Sequence, residues 1–558
     1  MPQVQSDAPK APSRPRADEL IKRYEEELSK RRQFEGYWQT LHDYFYIESS
    51  EVNKTYSEGN ELNPSFLWDS TTLECADVFA SGFMNYLTPP SSKWAKLRHR
   101  DPELAMNKAV AKFLENVTEE VNYALNRSNF YDQMFPSYKA SGVYGTAVLF
   151  EEEDLENDIR FYNMPIKQVV IVEDARGRVS AYFIEFEYTA EQAKDRWGEE
   201  GLSTEMRQEI REGKGHSTKH KFLLFIAERY KRDVRKYDKR NLPIEAVWID
   251  VAAKSIIDES GYNEFPAFAH RFDKRPFISW GFSPAMKALP FARLLNTIAK
   301  TNLRTMMKHT DPPIAVPHNA FISPFNMNPR AINAYKKTVM DSGKDIFAFG
   351  NFGDPSLGIQ AVEYYSMKVK TLMYHDVFLA FSNITKDMNN PEIMERINEK
   401  MTMLGPAVGR YLAEVISPIY SRTIGILARR GRLPDPPFEM LIYPSYDIDF
   451  VGMLAQSQRR AELNTLVTGL TMIGNMAQFD PTVLDKINPD KVTEEVWSIT
   501  GAPVKVLRDD DEVKQIREGR AQQAAEQEEL AKVHAGSEIA KNAGQADAAF
   551  AKAGEAKR

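Results

Sequence analysis

A chain of 558 residues, 42% hydrophobic and 27% charged, is long enough for several cores and ordinary in composition for a globular protein. Its formal net charge of -7 excludes a protein whose whole surface grips nucleic acid, while leaving room for local basic features. Cys75 is the single cysteine, which excludes an internal disulfide and a cysteine-based zinc site.

The start, MPQVQSDAPKAPSRPR, is polar and proline-rich and does not read as a secretory signal. No later apolar run is long enough to span a bilayer, so a soluble protein made in a reducing compartment is expected. Residues 17–46 read as a helix, charged at first and then aromatic at Phe34, Tyr37, Trp38 and Phe45. Asp69-Ser70-Thr71-Thr72 opens a second helix that stops at Pro89-Pro90, and residues 102–126 form a third. From Thr146 the texture turns β-like, with Asp174-Ala175-Arg176-Gly177 as a hairpin signal. A charged helical patch at 190–214 precedes further strands up to residue 274, so the first half predicts a mixed α+β body.

The segment SWGFSPAMKALPFARLLNTIAKTNLRTMMKHTDPP carries the most information. Ser283 suits an N-cap, Pro284 the first helical turn, and Pro312-Pro313 a stop. Phe291, Leu294, Leu295, Ile298 and Met306 recur at helical spacing. No acidic residue occurs between Asp273 and Asp311, whereas Lys287, Arg293, Lys300, Arg304 and Lys308 do; the plain reading is a solvated basic face. A turn-rich module follows at 311–362, with one helix expected at 330–341, and then a helix over 363–381. The polar loop 383–390 leads into a long helical pattern from Asn390-Pro391, in which Pro406 and Pro418 predict bending or segmentation. A strand at 446–451 and several short helices up to 506, split at Gly474, Pro481 and Pro489, come next. The Ala/Glu/Gln/Lys-rich stretch from Arg508 reads as an exposed helix or a disordered tail.

The search for a catalytic constellation is negative. Gly343-Lys344 lacks the upstream glycine of a phosphate loop, and no dinucleotide, zinc-protease or nucleophile-elbow motif occurs. His216 and His220 are four apart but lie in a loop-like GKGHSTKH context, and metal binding is not expected there. The run Glu151-Glu152-Glu153-Asp154 reads as a solvated strand end, and Cys75 as a buried, inert thiol.

In GFSPAMKALPFARLLN, GVYGTAVLFEEED, ILARRGRLPDPP, YDIDFVGMLAQSQRR, FDPTVLDKINPD and GAPVKVLRDDDEV, and in their order, the chain resembles the portal (head-to-tail connector) proteins of tailed double-stranded DNA phages. The similarity is to the T7-like, short-tailed group and spans residues 20–518. The resemblance implies an α+β, mainly helical portal fold, in a ring usually of twelve copies at one capsid vertex. DNA would be packaged and ejected through it. The implied parts are a wing (1–280 and 391–453), two stem helices (281–309 and 363–382), a clip (310–362), a channel loop (383–390), a crown (454–507) and a C-terminal tail (508–558). Implied partners are double-stranded DNA, the large terminase, tail adaptors, and the major capsid and scaffolding proteins. It implies no enzyme activity, cofactor, metal or membrane, with a virion location and assembly in the host cytoplasm.

The loop residues Asn383, Lys386, Asp387, Asn389 and Asn390 would face DNA, and the clip lysines Lys336, Lys337 and Lys344 would meet terminase or adaptor. Arg293, Lys300, Arg304 and Lys308 would either face DNA in the bore or pair with acids of a neighbouring subunit. The second is favoured, because a rigid cationic wall would slow a moving strand. The competing readings are a non-portal virion adaptor or scaffold and a metal-dependent nucleic-acid enzyme.

Overall fold

Residues 13–48, 52, 66–233, 235–236, 238–310, 314–315, 347–348, 354–384, 404–442, 444–450, 453–477, 481–500, 508 and 512–527 are described by the structure, a computed structural model. The chain divides into two units: a larger one of residues 1–95, 119–433 and 450–454, and a smaller one of 96–118, 434–449 and 455–558.

In the larger unit, α1 (Ser13–Phe45) lies along a five-stranded antiparallel sheet. Helices α2 (Thr71–Leu87) and α5 (Phe130–Tyr144) follow, with β1 (Ala95–His99), α3 (Pro102–Ala105) and α4 (Lys108–Arg127) between them in sequence. Helix α5 was not anticipated. It contains Pro136 and is buried on nearly every side, so it lacks the one-sided apolar stripe by which a helix is recognised.

Strands β2 (Thr146–Asp154) and β3 (Asp158–Met164) join β9 (Ala267–Arg271) in a three-stranded sheet of order β3-β2-β9. The five-stranded sheet has the order β4 (Val169–Glu173), β5 (Val179–Thr189), β6 (Lys219–Glu228), β7 (Ile244–Asp250), β8 (Ser255–Tyr262). The expected β4–β5 turn forms, with Gly177 at φ 75°, a left-handed value that glycine adopts without strain. Strand alternation splits the side chains between two faces. Val170, Phe183, Leu223, Phe225, Val247 and Ile249 bury against Leu20, Ile21 and Tyr24 of α1. Phe222 and Trp248 meet Trp197 at the end of α6 (Ala190–Trp197), which precedes α7 (Thr204–Arg211), and Phe186 packs on Trp248.

The same alternation overturns the solvated reading of the acidic run. Glu151 is fully buried, 3.8 Å from Arg422, while Glu153 pairs with Arg429 at 3.2 Å; both arginines belong to one later helix. From the opposite face, Glu152 pairs with Arg196 of α6 at 2.7 Å. Asp154 lies 3.6 Å from Arg160. Each carboxylate in the run thus has an arginine partner.

Two short strands, β10 (Asp273–Lys274) and β11 (Gly281–Phe282), pair and lead into α8 (Pro284–Thr310). Beyond it, β12 (Ile314–Ala315) pairs antiparallel with β13 (Phe347–Ala348). These four residues are all that is described of 311–353, so the helix expected at 330–341 lies outside the described residues. Helix α9 (Pro355–Leu372) and α10 (His375–Ile384) come next. Where one helix was expected from residue 363, the chain starts eight residues earlier and breaks at Tyr374, whose φ is 58°. The start is set by Asp354, whose Oδ1 accepts the Ser356 N–H at 2.8 Å, with Pro355 in the first turn.

The long helical pattern is described from α11 (Gly405–Tyr411) through a π-helical turn (Leu412–Ile416) to α12 (Ser417–Arg429). The expected irregularity thus takes the form of a π turn. Ser417 N–H bonds the Leu412 carbonyl five residues back, just before Pro418, which has no N–H to offer. Glu414 in this turn receives the buried Arg271 of β9 through the Arg271 N–H (3.0 Å) and its guanidinium. Arg271 also reaches Glu173, which Lys274 contacts at 2.9 Å.

In the smaller unit, β1 pairs with β14 (Tyr446–Phe450), and Arg100 holds Asp447 at 2.9 Å. Helices α13 (Phe438–Ile442), α14 (Met453–Ala477) and α15 (Pro489–Thr500) follow the chain order. Gly474 does not split α14 as expected; it sits inside the helix. Residues 512–527 are helical, and Arg517 pairs with Asp490 through both nitrogens at 2.8 and 2.5 Å.

Candidate functional site

Helix α8 is built to be held at one end. Ser283 Oγ accepts the Met286 N–H at 3.0 Å as the expected cap, and its hydroxyl donates to the Val143 carbonyl at 2.7 Å. Residues from Pro284 to Asn296 include eight buried positions. Asn296 donates to the Phe66 carbonyl at 2.9 Å and accepts the Trp68 N–H at 2.6 Å. Past Asn296 no residue of α8 is buried.

Helix α9 returns alongside. Phe291 and Tyr365 rings lie 6.4 Å apart, while Asn302 faces Gly358, so the two helices run antiparallel. A Cβ on Gly358 would sit 2.3 Å from Asn302 Oδ1, which makes glycine the residue that permits this approach. Val369 and Met373 are fully buried at the base, where α10 meets α2. There Phe378 stands 5.7 Å from both Phe79 and Phe83, and a Cβ on Gly82 would clash with it at 2.1 Å. The result is a helical hairpin with a buried base and an outer half paired only with itself among the described residues.

At 100° per residue, Arg293, Lys300, Arg304 and Lys308 occupy an arc of roughly 80° on α8. Asn302 lies on the opposite side of the helix, so this basic arc points away from α9. Arg293, Arg304 and Lys308 are exposed, and Lys300 sits 5.5 Å above the Trp68 ring. Lys287 lies 3.9 Å from Asp273. Thr297, Thr301 and Thr305 spend their hydroxyls on carbonyls four residues back, leaving the cations as the arc's polar reach. Along α9 the one carboxylate is Glu363.

Exposed apolar side chains also line the hairpin. Leu303, Met306 and Met307 of α8, and Leu357, Tyr364 and Met367 of α9, are 39% to 66% exposed. Leu294 and Met306, two of the apolar residues at helical spacing, are among those left open to solvent.

Asn383 lies in the last turn of α10, and Lys386, Asp387, Asn389 and Asn390 lie outside the described residues. So do Lys336, Lys337 and Lys344. His220 stands in β6 and contacts Glu209 at 2.7 Å, so it does not share a helix face with His216. Cys75 is buried, and burial pushes its thiol up to about 12. Among the described residues no group of three or more His, Cys, Asp or Glu side chains could hold a metal ion, and no helix is long and apolar enough to cross a membrane.

The arginine–carboxylate network of α12 and β2 was missed from sequence, because its members are some 270 residues apart. Arg422 and Arg429, seven residues apart, were the available signal, since that spacing puts them on one helix face.

A sequence model of the family described as "Bacteriophage head to tail connecting protein" matches residues 17–507. The chain is 27% identical over 532 residues to the "Portal protein" of Salmonella phage epsilon15, covering 94% of each chain. It is also 27% identical over 531 residues to the "Probable portal protein" of Bordetella phage BPP-1, covering 95% of each.

Proposed function

The chain belongs to the bacteriophage head to tail connecting protein family, and on that premise we propose that it is a portal protein, a ring subunit through which double-stranded DNA enters and leaves a capsid. The observation that carries this reading is the α8/α9 hairpin, with its buried base, bare outer half, basic arc on one helix and exposed apolar residues on both. A lone monomer gains nothing from leaving Leu303, Met307, Tyr364 and Met367 in water. Copies arranged about an axis cover them and turn the hairpins into the wall of a pore. In this reading the protein is structural, not catalytic, and resides at the capsid vertex of the virion.

In the finer assignment the hairpin would be the stem and the α+β body with α11 and α12 the wing. The clip, expected at 310–362, would end at 354 because α9 starts at Pro355, and α14 with α15 would be the crown. Twelve copies would make the ring. Terminase and then tail adaptors would dock on the clip through Lys336, Lys337 and Lys344, and the capsid and scaffolding proteins would surround the wing. Loop residues Asn383, Lys386, Asp387, Asn389 and Asn390 would narrow the bore, where a ring of Lys386 charges senses phosphate without arresting it.

For the stem cations, the charge inventory shifts the weight toward DNA. Against Arg293, Lys300 and Arg304, a neighbour's α9 offers only Glu363. Three cations facing one carboxylate leave a surplus that a polyanion in the bore would meet.

The test is direct. Purified full-length protein imaged down its symmetry axis shows a closed ring with a central hole wide enough for a duplex. Rings carrying Lys386→Ala still assemble but package or retain DNA poorly. A monodisperse monomer would overturn the portal reading, and normal packaging by a loop-shortened variant would remove the channel-loop assignment.

A further inference from the structure

The β6–β7 connection carries a dense run of exposed cations in the larger unit. Strand β6 ends at Glu228 opposite Ile244 of β7, so residues 229–243 form an unusually long hairpin loop. Between residues 231 and 240 there are six cations and two carboxylates, in a chain whose net charge is -7. Lys231, Arg232, Arg235, Lys236, Lys239 and Arg240 are all exposed. None of the six has a carboxylate partner among the described residues.

The loop is organised from within. Arg229 N–H bonds the Pro243 carbonyl at 2.8 Å, and its guanidinium donates to the Ser260 carbonyl at 2.9 Å, fixing the base. Asp233 Oδ1 accepts the Arg235 N–H at 3.1 Å, and the Asp233 carbonyl accepts the Lys236 N–H at 3.1 Å. The Asp233 N–H in turn bonds Asn241 Oδ1 at 3.1 Å, and the Asp238 carbonyl accepts the Asn241 N–H at 2.9 Å. The Asn241 side-chain amide also donates to the Asp238 carboxylate, so both loop carboxylates shape the turn. Of the strand carboxylates beside the loop, Glu245 and Glu259 are held by Arg16 of α1, and Glu228 ends β6 exposed.

We propose that this tip is a sequence-independent binding site for the phosphate backbone of double-stranded DNA, separate from the channel. The six cations stand as solvated points on a projecting turn, with Tyr230 beside them 87% exposed. An acidic protein partner would call for a desolvated apolar centre to anchor it. Regularly spaced phosphates require only placed charges, and released counterions supply the affinity.

The experiment uses full-length protein and a covalently closed circular plasmid, which cannot thread a closed ring and so reports outer surfaces only. Wild-type protein binds the circle with an affinity that falls steeply with salt. The combined Lys231→Gln, Arg232→Gln, Arg235→Gln, Lys236→Gln variant binds at least about tenfold more weakly at 50 mM salt, with a log–log salt slope shallower by roughly 3. The separate Lys239→Gln, Arg240→Gln pair lowers the slope by about 2. Failure of wild-type protein to bind the circle, or unchanged binding by both variants, overturns the proposal. So does displacement of the plasmid by polyglutamate at equal charge concentration, which would assign the tip to an acidic protein. None of these outcomes bears on ring formation or packaging, so the channel reading stands or falls separately.

Discussion

Glu151 is a carboxyl that folding removes from water. Burial pushes its pKa up to about 8, against the opposing pull of the Arg422 guanidinium and a 3.0 Å hydrogen bond from Thr423. With the ordinary value at 4.5, folding takes up a proton at this site throughout the window from about 4.5 to about 8. The stability it contributes is complete below that window, declines as pH rises through it, and levels off above. The slope reaches about 1.4 kcal/mol per pH unit at most. His270, which burial pushes down to about 3, acts in the opposite direction below its ordinary 6.5 and does so equally in any Glu151 variant. Glu151→Gln keeps an oxygen for Thr423 and removes the titration. Thermal midpoints measured at pH 6.8 and 7.8 should therefore fall for the wild type and stay nearly level for the variant. Parallel declines in the two proteins would show that the carboxyl is already ionised in the fold.

At the scale of elements, what could be read from the sequence depended on how local its cause was. Ser283 and Pro284 announce the start of α8 because cap and first turn lie within three residues of each other. The Gly177 hairpin is local in the same sense. The Asp354-Pro355 start of α9 carried an equally local signal that the weight of surrounding prolines and glycines obscured. Helix α5 has no comparable signature, because its surroundings bury it on nearly every side. The acidic run could not be interpreted without knowing that α12 lies across β2. The π turn, likewise, needed Arg271 as well as Pro418 to be seen as a joint between helix and sheet. That joint yields a prediction: Arg271→Met leaves Glu173 with Lys274 and Glu414 with only the main-chain N–H of residue 271, and should cost about 3 to 5 kcal/mol in unfolding free energy by denaturant titration. A change below 1 kcal/mol would mean the joint is relaxed in solution. The hairpin offers a second test at this scale. Gly358→Val drives a side chain into Asn302 and should cost about 1 to 3 kcal/mol through overpacking. Asn302→Ala in the same chain should recover most of that loss. Equal effects with and without the second substitution would show that α8 and α9 do not meet at this point.

For the whole molecule, the decisive quantity is where the charge of the basic arc is neutralised. Arg304 is exposed near the middle of the outer half of α8, on the side turned from α9, and has no carboxylate partner among the described residues. If neighbouring subunits supplied acids to it, reversing its sign would set like charges against each other at every interface of a cyclic ring. The defect would then be multiplied by the symmetry, and particles would fall apart into small species. If DNA is the partner, the subunit interfaces keep their apolar contacts and the ring persists. The bore instead loses one cation per subunit and gains one anion. Arg304→Glu is therefore expected to sediment as the full ring, to keep its axial hole in projection images, and to package DNA poorly in a way that worsens as ionic strength is lowered, because the introduced repulsion is least screened there. Disassembly of the variant at all salt concentrations, with assembly restored by a compensating Glu363→Lys, would place the arc at the subunit boundary and remove it from contact with DNA.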